Sequence, residues 1–169
     1  MKKSLFFLFA MGLTFPSFGQ ITKIEELSEV VVRAVNYKYL NNVETAEVAS
    51  VPVQLLERKA AAYDIKNSDI YMDEYDYYEV AFYIPEGMIL AAYDKDGKII
   101  RTAEKFKDIS LPQNIRDAVM KRFPGWTITK DIYMVRYVED RDPVKQYKIK
   151  LVNGDEVVRV KLDADGNFL

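Results

Sequence analysis

"YKIKLVNGDEVVRVKLDADGNFL" fills residues 147–169, and at an offset of 69 it aligns without a gap with "YEVAFYIPEGMILAAYDKDGKII" at 78–100. Tyr78, Asp94, Asp96 and Gly97 meet Tyr147, Asp163, Asp165 and Gly166. Between these identities Val80 meets Ile149, Phe82 meets Leu151, Ile89 meets Val158 and Tyr93 meets Leu162. Apolar positions recur every second residue, which is the period of a strand with one buried face. Asn153-Gly154 is the preferred pair for a two-residue type I′ hairpin. A turn centred there sets Ile149 opposite Val158, Tyr147 opposite Val160 and Lys148 opposite Arg159.

Upstream the offset shrinks to 62 at "DIYM" (69–72 and 131–134) and to 60 at "SVP" (50–52) and "SLP" (110–112), as short insertions between elements would produce. The Ser-x-Pro segments read as helix starts, with Ser50 and Ser110 as N-caps and a proline in the first turn, where its missing N–H costs little. Ser110 with Gln113 fits a capping box. Ile115, Val119 and Phe123 then form one apolar stripe that stops at Pro124-Gly125; Leu56, Ala60 and Tyr63 give a weaker one in the first copy. Each copy therefore reads as a helix followed by a four-strand meander. The expected fold is α+β: two tandem repeats, 50–105 and 106–169, forming an antiparallel sheet with helices packed on one face. Residues 20–49 combine a strand-like stretch, "EVVVRAVNYKYL" (29–40), with the linker-like "NNVETAEVAS". This segment could cover one face of the sheet.

The Asp-x-Asp-Gly segments resemble fragments of a calcium loop. An EF-hand would place a bidentate Glu six residues after the glycine, and Ala103 stands there in the first copy. A turn explains them better: Asp side chains cap the backbone and Gly takes the left-handed conformation. No metal site and no cofactor is expected.

The chain opens with Lys2 and Lys3, an apolar run over 5–13 and a small-residue end at Ser17-Phe18-Gly19, the layout of a signal peptide cleaved after Gly19. The run is too short to span a bilayer. The expected location is periplasmic or secreted, with no membrane span in the mature protein. Loss of residues 1–19 leaves 22 basic against 26 acidic residues, a net charge of −4, which argues against nucleic acid as a partner. With no cysteine, stability must come from packing alone. With no histidine either, Ser-His-Asp triads, thiol nucleophiles and the usual zinc sites lack essential parts. Neither S-x-x-K nor a Gly-rich phosphate loop supports another catalytic route. No catalytic residue is assigned.

"LP..I..A....FPG......YKIKLVNGDEVVRVKLDADGNFL" resembles the bacterial PepSY-like family, also described as β-lactamase-inhibitor-protein-like. Leu111, Pro112, Pro124, Tyr147, Gly154, Asp163, Asp165 and Gly166 carry the resemblance over 111–169. Over 51–100 it is weaker: Asp64 follows Tyr63 where Pro-Gly would stand, and Pro85 replaces the hairpin glycine. The resemblance implies an exported α+β protein without enzymatic activity that binds or inhibits a peptidase or another periplasmic protein.

The expected function is thus a protein-binding module in the cell envelope that uses the exposed face of its sheet. That face would carry Lys148, Lys150, Arg159 and Lys161 on one half and Leu90, Met88, Tyr77 and Tyr83 on the other. The alternative is a ligand- or cation-binding protein using acidic turn tips, where Asp73, Glu74 and Asp76 would neighbour Asp94 and Asp96, and Glu139, Asp140 and Asp142 would neighbour Asp163 and Asp165.

Overall fold

The computed structural model describes residues 36–43 and 51–169. The signal-peptide segment, Ser50 and most of the 20–49 region lie outside them. The described chain is α+β, with six antiparallel strands in sequential order: β1 Tyr77–Ile84, β2 Gly87–Asp94, β3 Ile99–Lys107, β4 Thr127–Val138, β5 Val144–Asn153 and β6 Glu156–Asp163. Helices α1 (Tyr37–Val43) and α2 (Val51–Ala62) precede β1, and α3 (Gln113–Arg122) links β3 to β4. No described helix is long and apolar enough to cross a membrane.

Six strands stand where two four-strand meanders would give eight. At the first "DIYM" residues 69–70 are turn and 71–72 are outside any strand, whereas the second, 131–134, lies inside β4. Local bonds hold the turn: the Asn67 amide N–H donates to Asp64 Oδ1, Ser68 Oγ donates to the Ile65 carbonyl, and the Tyr71 N–H donates to the Ser68 carbonyl. The Tyr71 ring stacks on Tyr78 with centroids 5.5 Å apart. Among the described residues, pairing beyond β6 is confined to one bridge, Leu162 with Phe168.

Alternation sorts each strand into a covered and an outward face. Tyr78 and Phe82, Ile89 and Tyr93, Phe106, Tyr133 and Val135, Tyr147, Ile149 and Leu151, and Leu162 point to one side and join a single core. All three helices contribute to that core, through Tyr39, Leu40 and Val43, through Val53, Leu56 and Ala60, and through Ile115 and Val119. Phe123 is half-buried at the end of α3 against Trp126 and Phe168, at 6.0 and 6.1 Å between centroids.

The α3 start differs from expectation. Pro112 is the N-cap residue and makes no side-chain cap bond, while Gln113 bonds Asp117 and Arg116 instead of closing a box with Ser110. Within "EVVVRAVNYKYL", residues 37–40 are helical rather than extended, because Tyr39, Leu40 and Val43 fall on one buried helical face. Asn36 pins the start of α1, donating to the Ala61 and Gly97 carbonyls at 3.0 and 3.1 Å and accepting from the Ile99 N–H at 2.7 Å. α1 therefore packs on the helix-covered face, through Tyr39 against Tyr137 at 5.3 Å, and not over Leu90.

The β5–β6 register is also shifted by two residues. Asn153 pairs with Glu156, so Gly154 and Asp155 form the turn, with Gly154 at φ +57 and Asp155 not at positive φ. That is the φ pattern of a type II′ hairpin rather than type I′. Tyr147 then faces Leu162, Ile149 faces Val160 and Leu151 faces Val158. The shift lets the fully buried Tyr147 and Leu162 meet, and because it is even it leaves every side chain on its expected face.

The β1–β2 turn brings the backbone of Gly87 against β3. A Cβ there would stand 2.2 Å from the Lys105 carbonyl oxygen and 2.7 Å from the Phe106 ring. Gly87→Ala should therefore destabilise the protein by about 1–3 kcal/mol through overpacking, measured as a lowered urea midpoint at unchanged slope.

Candidate functional site

The outward side of the sheet carries a dense basic field. Cross-strand register places Arg101, Lys105 and Lys107 of β3, Lys130 and Arg136 of β4, Lys148 and Lys150 of β5, and Arg159 and Lys161 of β6 on it. Lys148 pairs with Lys161 and Lys150 with Arg159, where the type I′ register would have put Lys148 against Arg159. Lys130 extends the second row, opposite Lys150. Such like-charge neighbours destabilise a sheet unless acids intervene. Among the described residues no acidic side chain forms an ion pair with Lys130, Lys148, Lys150, Arg159 or Lys161. With Ile132, Ile149 and Val160 these five line a groove of about 400 Å³, to which Asp131 also contributes, although that side chain is buried and its Oδ1 accepts from the Ile109 N–H.

The β1–β2 part of this side is apolar, with one neutralised corner. Glu79 of β1 and Arg101 of β3 both face Ala92 of β2, and their 2.6 Å ion pair reaches across it, leaving Ala92 only 2 % exposed. Tyr77 and Tyr83 are exposed at 58 % and 68 %, and Leu90 at 37 %. A second hollow of about 230 Å³ lies beside Tyr83, Pro85, Met88, Lys105 and Lys107. The structure thus brings all eight expected residues to one side of the sheet, the cations at β5–β6 and the apolar group at β1–β2. The five cations on β3 and β4 were not singled out from the sequence. The alternation Arg101, Ala103, Lys105, Lys107 was their signal, blurred because Thr102 and Glu104 make the covered face look polar as well.

The acidic turns are occupied by their own backbone. Asp94 Oδ1 accepts from the Asp96 and Lys98 N–H groups, and Asp163 Oδ1 from those of Asp165 and Asn167. Gly97 and Gly166 take φ +82 and +89. Hydrogen bonds from Asn167 hold the Asp163 carboxyl below its ordinary range. Asp96 pairs with Lys66 at 3.1 Å, and Glu139 pairs with Lys98 instead of gathering at the second-copy turn. Among the described residues no three acidic side chains come together as a cation site.

A polar cluster that sequence reading missed lies on the helix-covered face. Glu104 of β3 is 3 % exposed and accepts at Oε1 from the Tyr39 hydroxyl at 2.9 Å and from Thr102 Oγ1 at 2.7 Å. Glu57 of α2, equally buried, adjoins it. Burial pushes the Glu104 carboxyl up to about 7, against the pull of the Thr102 and Tyr39 bonds and the Lys145 charge. Lys145 is lowered by burial and donates to the Val43 carbonyl at 3.0 Å. A raised carboxyl can mark an active site, but solvent does not reach Glu104, and its bonds serve to dock α1.

The consequence is a pH dependence. Glu104 binds its proton more tightly folded than unfolded, so its contribution to stability is complete below its unfolded value near 4.5 and is lost as pH rises through about 7. Relative to Glu104→Gln, the wild type should lose roughly 1–3 kcal/mol of stability between mildly acidic and mildly alkaline buffer. Urea unfolding of both forms across that range checks this; parallel curves would mean that Glu104 titrates normally.

The chain matches no family model, and no curated protein or solved structure matches it at a significant level.

Proposed function

We propose that the protein is an exported, non-enzymatic binding module that engages an acidic protein partner in the cell envelope through the outward side of its sheet. The observation that carries this reading is the row Lys130–Lys150–Arg159 beside the Lys148–Lys161 pair, like charges aligned across three strands with no acidic ion-pair partner among the described residues. Complementary potentials steer association and exclude wrong partners. The apolar edge of Tyr83, Met88 and Leu90 supplies anchors on the same side that a partner would cover. The PepSY-like resemblance supports a tandem origin for the fold: at the offset of 69, β1 and β2 correspond to β5 and β6, each pair ending in the same Asp-x-Asp-Gly turn. It also supports inhibition of a peptidase or another periplasmic protein as the form the binding takes.

Arg159→Glu combined with Lys161→Glu, and separately Leu90→Asp, should each abolish capture of the partner from envelope extract, with thermal midpoints within a few degrees of wild type. Capture that survives the charge reversals, with Leu90→Asp unfolding the protein, would remove the sheet face from consideration.

Cation binding at the acidic turns is the competing reading, and the backbone bonds to Asp94 and Asp163 speak against it. Asp94→Ala should lower stability by about 1–2 kcal/mol through lost backbone bonds, equally with and without calcium. A calcium-dependent difference between variant and wild type in calorimetric titration would favour the competing reading.

A further inference from the structure

The groove at β4–β6 is specific enough in its spacing to identify the form of what enters it. We propose that it holds an extended acidic segment of the partner protein, laid along β5 and β6 with carboxylates at alternate residues. This deepens the reading above and rests on it.

Lys148 and Lys150 stand two residues apart on β5, and Lys161 and Arg159 stand directly beside them on β6. The four cations therefore mark a rectangle about 4.8 Å across the strands and about 6.8 Å along them. An extended peptide repeats its same-side side chains at that same interval of about 6.8 Å, because the rise per residue is that of a strand. Carboxylates two residues apart then each meet a pair of cations, Lys148 with Lys161 and Lys150 with Arg159. Lys130 adds a third charge to the second pair, and half-buried Ile132 offers an apolar contact beside the first. An acidic run without alternation would turn every second carboxylate away from the groove.

The chemistry of the cations agrees. Four of the five are lysines, which act as separate point charges and suit individual carboxylates. Recognition of phosphate by planar, bidentate pairing would call for arginine, and Arg159 alone supplies it.

The test measures binding of the purified full chain to two labelled peptides of equal composition with two Glu residues each in a Ser background, one alternating as Glu-Ser-Glu, the other with its two Glu residues adjacent as a block, so that only one of them can face the groove. Phosphatidylglycerol vesicles and inorganic polyphosphate serve as other polyanions. The alternating peptide should bind about tenfold more tightly than the block peptide or more, and weaken as salt rises. Lys150→Ser with Arg159→Ser should remove about tenfold of that affinity or more, while Lys121→Ser, exposed on α3 and away from the outward side of the sheet, should leave it unchanged. Unshifted thermal midpoints identify loss of binding as loss of the groove. Equal affinity for both peptides, with the groove variant still impaired, would overturn the extended register and leave the acidic-partner reading standing. Binding indifferent to the groove variant would overturn both. Preference for vesicles or polyphosphate over either peptide would replace the peptide by a phosphate-bearing surface.

Discussion

One-sided burial of the antiparallel sheet is the constraint from which the rest follows. Buried side chains from β1 to β6 join one core with residues of all three helices, so the helical layer covers a single face. Because successive side chains on a strand point to opposite sides, covering one face commits every alternate residue of all six strands to the other. The basic field is thus the other half of the same alternation that builds the core. Removing it by slipping a strand one residue would expose Tyr147, Ile149 and Leu151 to water and bury Lys148 and Lys150 in their place.

The same parity explains which parts of the structure could be read from sequence. Faces were legible for β1, β2, β5 and β6, where apolar residues alternate cleanly, and so were the Asp-x-Asp-Gly turns, whose chemistry is local. The β5–β6 pairing was not, because Asn153-Gly154 and Gly154-Asp155 are both acceptable turns and an even slip changes no face. β3 resisted assignment because Thr102 and Glu104 occupy covered positions that hydropathy assigns to solvent; the Tyr39 hydroxyl that bonds Glu104 comes from a helix 65 residues away in sequence. "DIYM" reads alike in both copies, yet the Asp64 and Ser68 side chains turn the first and leave the second in β4. The helical start of α1 was hidden for the same reason as Glu104, since its anchors, the Ala61 and Gly97 carbonyls and the Ile99 N–H, are distant in sequence.

Charge is segregated rather than scarce. The full chain is nearly balanced, with 24 basic and 26 acidic residues, yet acids at 94, 96, 139, 163 and 165 sit at strand ends and turns while the cations occupy the middle of the outward face. At Asp94 and Asp163 the function is local: Oδ1 satisfies backbone N–H groups that the turn would otherwise leave open. The corner where Glu79 and Arg101 close over Ala92 shows what neutralisation within the sheet looks like, and it occurs on the apolar half. On β5 and β6 the corresponding positions oppose like with like, at a cost of a few tenths of a kcal/mol or more for each pair.

That cost falls on a part of the fold that can carry it. Asn36, Tyr39, Thr102, Glu104 and the Lys145–Val43 bond lie on the opposite face of β3 and β5, and their directional bonds tie α1 to the sheet and to the end of α2. Apolar contacts alone would hold the helical layer to the core but tolerate sliding; hydrogen bonds to buried acceptors do not, because a displaced donor is left unsatisfied. The Phe106–Tyr133 and Tyr133–Tyr147 ring contacts, at 6.4 and 4.9 Å, continue that fixed layer from β3 through β4 to β5. Strands fixed on their covered face cannot twist apart to relieve repulsion on the other, so Lys130, Lys148, Lys150, Arg159 and Lys161 are held at the spacing of the ladder whether or not a counter-charge is present. A partner that brings carboxylates at that spacing meets a site already in place and gains the relief of the like-charge pairs in addition to its own contacts.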